Sequence, residues 1–109
     1  MITENKSGNP ALEQQIIAAI QEVYDPEIPV NVYDLGLIYE IRISTEKQVH
    51  IVMTLTSPNC PEAESLPGKV RLKVMDVPGV MGVNLELTFE PPWDADQMTD
   101  DAKLELGML

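Results

Sequence analysis

The spacing of hydrophobic residues changes along the chain, and each change marks an element. Leu12, Ile16, Ile20 and Val23 recur every three or four positions, which predicts an amphipathic helix over 10–24. Asn9 suits its N-cap and Pro10 its first helical position, where a missing N–H costs nothing. The helix is expected to stop at Tyr24, because the residue before Pro26 is pushed out of helical geometry. From residue 37 the period falls to two. Leu37, Tyr39, Ile41 and Ile43 alternate with Glu40 and Arg42, predicting a strand, and Val49, Ile51, Met53 and Leu55 supply a second beyond the polar loop 44–48. Leu66, Val70, Val74 and Val77 restore helical spacing and predict a helix between Pro61 and Asp76, where Pro67-Gly68 is expected to kink or delay it. Val83, Leu85, Leu87 and Phe89 form a third alternating strand, ended by Pro91, Pro92 and Trp93. A short last helix is predicted over 99–106, with Thr99 as N-cap and Gly107 as C-terminal cap.

The predicted order is helix, strand, strand, helix, strand, helix: an α/β (α+β) domain in which a three-stranded mixed sheet packs with three helices. Residues 1–9 are polar and expected to fray, leaving 10–109 as one domain. The irregular stretch 25–36 carries Pro26, Pro29 and Gly36, yet Ile28, Val30, Val32 and Leu35 want burial, so it is no linker.

Composition narrows the function. The 109 residues carry a net charge of −11, which argues against nucleic acid as a partner because phosphate binding needs a cationic surface. A 44% apolar content is enough for a core. A single cysteine excludes a disulfide framework and a cage of several thiolates from one chain. The apolar runs are too short to span a bilayer and residues 1–8 show no basic-then-apolar leader, so a soluble cytoplasmic protein is expected.

Cys60 carries the most chemical information. With Pro61 as first helical residue it sits at or beside a helix N-cap, where unpaired amides and the helix dipole favour a thiolate. The alternative is a small buried hydrophobe. Asp25, Glu27 and Asp34 place three carboxylates on a proline-stiffened loop, although singly each reads as a turn cap or a solvated charge. Thr54 and Thr56 share one strand face leading to Cys60. His50 lies on that same face, but roughly 13–20 Å back from Thr54 and Thr56 along an extended strand, too far for the contact a cysteine–histidine hydrolase needs. Six acids between Glu90 and Glu105 form either a solvated face or a docking surface for a basic partner, with Trp93 as core plug or interface anchor. Lys69, Arg71 and Lys73 concentrate the opposite sign.

Asp25-Pro26-Glu27, Asp34-Leu35-Gly36-Leu37-Ile38-Tyr39, Met53-Thr54-Leu55-Thr56 with Cys60-Pro61, Val77-Pro78-Gly79-Val80, Phe89-Glu90-Pro91-Pro92-Trp93 and Leu106-Gly107 follow one another in order. Together, over about 11–107, they resemble the SufT/PaaD-like iron–sulfur cluster assembly family, and SufT more closely, because no cysteine-rich tail follows. The resemblance implies an auxiliary maturation factor, not an enzyme, that binds or transfers a labile cluster or iron through Cys60. Asp25, Glu27, Asp34, Thr54 and Thr56 would line the same pocket. Implied partners are SUF-type assembly proteins, apo iron–sulfur clients and a second copy of the chain. The rival readings are a metal-free adaptor joining assembly machinery to clients and, third, a cysteine-dependent enzyme.

Overall fold

The computed structural model describes residues 2–25, 29–56 and 65–107. Its strands are β1 (Ile2–Asn5), β2 (Ile38–Ile43), β3 (Gln48–Met53) and β4 (Gly82–Leu87), and its helices α1 (Pro10–Ile20), α2 (Ser65–Met75) and α3 (Asp100–Glu105), with a 3₁₀ turn at Ala95–Gln97. The α+β class and the three helices agree with the sequence reading; the sheet has four strands, not three. The strands lie in the order β1-β2-β3-β4, parallel, antiparallel, parallel. Two β-α-β crossovers are thereby joined through the β2–β3 hairpin.

The extra strand corrects the expectation of a frayed N-terminus. Ile2 to Asn5 pair in register with Glu40 to Ile43, and the Lys6 amide bonds to the Ile43 carbonyl at 2.8 Å. Glu4 bridges Lys6 at 3.0 Å and Arg42 at 2.9 Å, fastening a strand too polar to announce itself.

Helix α1 begins as expected, with the Asn9 side chain accepting the Ala11 amide at 3.1 Å and Pro10 in the first turn. It ends at Ile20 rather than Tyr24. Glu22 donates to Ala19 and Val23 to Ile20, and this tighter winding turns Val23 into the core before Tyr24 bridges to Asn31. Pro67 and Gly68 lie inside α2, as expected, and do not delay it, since the chain is already helical at Ser65. The predicted start of that helix at Pro61 lies outside the described residues.

One sheet face holds the core. Ile41, Ile43, Val49, Ile51 and Met53 meet Leu12, Ile16 and Ile20 of α1 and Leu66, Val70 and Val74 of α2. Each such side chain, removed from water, contributes about 2 kcal/mol. A register shift between Ile38 and Glu40 makes Tyr39 a bulge and sets Ile38 opposite Met53. Tyr39, expected on the inner face, is half-buried instead and its hydroxyl donates to the Pro91 carbonyl at 2.8 Å. Strand β4 ends at Leu87, leaving Phe89 outside it. No described helix is long and apolar enough to cross a membrane.

Candidate functional site

The irregular stretch after α1 folds back on itself. Val32 donates to the Val23 carbonyl at 2.9 Å, Tyr24 bridges Asn31, and the Asp25 amide reaches the Val30 carbonyl at 3.4 Å. Asp25 and Asp34 therefore belong to one small, tied-down loop. Val30, Val32 and Leu35 are buried beneath it, as their apolarity demanded. Asp25 itself is only 7% exposed.

Asp34 is held from two sides. Its amide donates to Asn31 Oδ1, and Asn31 Nδ2 donates to Asp34 Oδ2, both at 2.9 Å. Two residue types that favour turns thus close a reciprocal ring. The Asp34 carbonyl accepts the Thr99 amide at 2.9 Å, which ties the loop to the start of α3. The Trp93 indole donates to the Leu35 carbonyl at 2.7 Å, and a Cβ on Gly36 would run into the Gln97 carbonyl. Trp93 is accordingly a plug, packed partly buried against the core. Gly36 has φ +80°, a second reason for glycine there.

The C-terminal segment adds residues that sequence reasoning left apart from the loop. Asp34, Asn31, Asp101 and Glu105 line one hollow of about 250 Å³, with Tyr24 on its wall. The usable signal was the spacing of Asp101 and Glu105, which puts both on one face of a helix that Thr99 starts. Tyr33, next to Asp34, has its hydroxyl pushed above the usual tyrosine range by burial first, then by the charges of Asp34 and Glu13. Carboxylate potential is therefore felt within the loop.

Thr54 and Thr56 do not share a strand face, because β3 ends at Met53. Thr54 is fully buried, and its amide donates to the Leu37 carbonyl at 2.8 Å, which fixes the chain against the end of the loop. Thr56 is half-buried. Cys60 and Glu27 lie outside the described residues. Among the described residues, no group of three or more His, Cys, Asp and Glu is arranged to hold a metal ion. His50 is on β3, with Nδ1 3.1 Å from the Asn84 amide nitrogen on β4.

A domain of this topology, with a clamped acidic loop, defines a class, and comparison with known proteins gives the class its family. The sequence profile of the iron–sulfur cluster assembly protein family matches residues 13–86, and the chain belongs to that family. It is 54% identical over 97 residues to an Fe–S protein maturation auxiliary factor of Porphyromonas gingivalis, spanning 89% of this chain and 92% of that one. It is 31% identical to the Fe–S protein maturation auxiliary factor SufT of Staphylococcus aureus, over 79% of this chain and 98% of the relative. A crystal structure of a domain of unknown function from Bacillus anthracis superimposes with a TM-score of 0.83 at 32% identity, covering 91% and 94% of the two chains.

Proposed function

We propose that this chain is an auxiliary factor in iron–sulfur protein maturation that holds a labile cluster, or iron, through Cys60 and passes it on. The observation that carries the reading is the 54% identity, over nearly the whole of both chains, to a maturation auxiliary factor. Chemistry supports the word labile. An iron–sulfur centre takes four protein ligands, and this chain has one cysteine. The other ligands come from a second copy, a client, a small thiol or nearby carboxylates, and an incomplete donor set favours release. Asp25 and Asp34 sit on a loop fixed by backbone and side-chain bonds. Asp34, the more exposed of the two, can face a cargo without the entropy cost of ordering that loop afresh. The cluster is cargo here, not a resident cofactor, and the chain is a carrier rather than an enzyme. Its setting is the cytoplasm, its partners SUF-type assembly proteins and apo clients.

Anaerobic reconstitution with iron and sulfide tests this. Visible absorbance corresponding to about one cluster per two chains is expected, and Cys60→Ser should abolish most of it; an equal load on the variant refutes the role of Cys60.

The hollow lined by Asp34, Asp101 and Glu105 favours a second reading, an adaptor that contacts its partners through this acidic surface without metal. Chelation separates the two. An adaptor keeps its affinity for assembly proteins after iron is stripped, whereas a carrier loses the transfer.

A further inference from the structure

The sheet face turned away from α1 and α2 bears a row that crosses all four strands in register: Ile2, Glu40, Val52, Glu86. Residues paired this way stand side by side on one face, so the row alternates aliphatic, acid, aliphatic, acid. Strands lie roughly 4.8 Å apart, which puts the two carboxylate stems roughly 10 Å from each other with Val52 between them. Ile2 is 53% exposed. Val52 is buried, yet outside the cluster formed by the helix-side core. Glu90, Pro91 and the half-buried Tyr39 continue the same shallow hollow, of about 500 Å³.

The neighbouring row on this face, Glu4, Arg42, His50 and Asn84, behaves differently. Arg42 binds Glu4 at 2.9 Å and Glu40 at 3.2 Å, and His50 meets Asn84, so that row answers its own charges. In the first row only Glu40 is so answered. No lysine or arginine lines its hollow, and Glu86 and Glu90 form no ion pair among the described residues. An exposed isoleucine and a valine framed by three carboxylates, two of them unneutralised, form a surface complementary to one chemistry.

We propose that this face docks a basic segment of another protein, one that presents an aliphatic side chain between lysines or arginines. The aliphatic group covers Ile2, beside the buried Val52, while the cations meet Glu86, Glu90 and the outer edge of Glu40. A second copy of this chain is the poorer occupant, because each copy carries −11 and brings the same carboxylates. The inference is independent of the iron–sulfur reading and stands or falls without Cys60.

The test uses the full chain and a synthetic peptide of two Leu-Lys-Lys-Leu-Leu-Lys-Leu repeats, read by calorimetry and by amide shifts. Glu86→Lys with Glu90→Lys should weaken binding about tenfold or more, and Ile2→Ser should weaken it severalfold. Glu22→Lys with Asp76→Lys changes net charge equally on the opposite, helix-covered side of the sheet and should leave affinity within about twofold. Equal losses from both double variants, or peptide-induced shifts in the unaltered protein that avoid Ile2, Val52 and Tyr39, overturn the proposal. So does self-association in sedimentation that Glu86→Lys with Glu90→Lys abolishes, since the occupant is then a second copy.

Discussion

Gly36 shows how one missing side chain positions the loop. Its φ of +80° is strained for any L-residue, and a Cβ there would strike the Gln97 backbone carbonyl, which cannot swing aside as a side chain can. Gly82 offers the contrast, because the group a Cβ would meet there is the end of the Gln48 side chain. Gly36→Ala is therefore expected to destabilise the protein by about 2–4 kcal/mol, and Gly82→Ala by under about 1 kcal/mol, measured as shifts in urea midpoint. Because Gly36 sits between Leu35, which receives the Trp93 indole, and the strand that begins at Ile38, the same change should also loosen Trp93. Its fluorescence would shift to the red before global unfolding. Two equal midpoints would show that the C-terminal segment does not press on the loop.

At the scale of elements, the strength of local signals decided what could be read beforehand. Asn9-Pro10 and Thr99 with Gly107 place α1 and α3 because caps act through neighbouring residues, and their geometry is present as expected. The alternation of Val49, Ile51 and Met53 placed β3 for the same reason. Strand β1 was illegible because its partner lies 38 positions away, in the pairing of Ile2 with Glu40, and its four residues have no apolar alternation. The Tyr39 bulge escaped because it depends on what β3 places opposite. At the candidate site, Asp34 was legible as a turn residue, but its meeting with Asp101 and Glu105 was not, since tertiary docking of α3 creates it. The tie of β1 can be examined directly. Lys6 first and Arg42 next hold the Glu4 carboxyl below its usual 4.5. A depressed carboxyl contributes stability above its unfolded value and loses it as pH falls through the folded one. Protection of β1 amides should therefore decline below about pH 4.5 while α1 amides hold, and Glu4→Gln should remove that step. Parallel decline of both elements would mean that Glu4 does not fasten the strand.

The whole molecule has to contain its own charge. Eighteen acids against seven bases occupy a body of 39 × 27 × 23 Å, so most carboxylates lie within about 30 Å of one another. That distance is about the screening length at 10 mM salt, whereas at 150 mM screening sets in at about 8 Å. The exposed ion pairs of Glu4, Lys6, Arg42 and Glu40 attract over short range and contribute little, so long-range repulsion should dominate the salt response. Raising sodium chloride from 10 to 150 mM is expected to raise the thermal midpoint by a few degrees. Glu86→Gln with Glu90→Gln lowers the acids from 18 to 16 and the net charge from −11 to −9. It should raise the midpoint at 10 mM and lose most of that advantage at 150 mM. A midpoint that falls with salt would instead make the ion pairs the controlling force. The double substitution also bears on the open sheet face. If it stabilises the chain and at the same time weakens binding of the lysine–leucine peptide, those two carboxylates work against the fold and in favour of a cationic partner, as residues kept for recognition do.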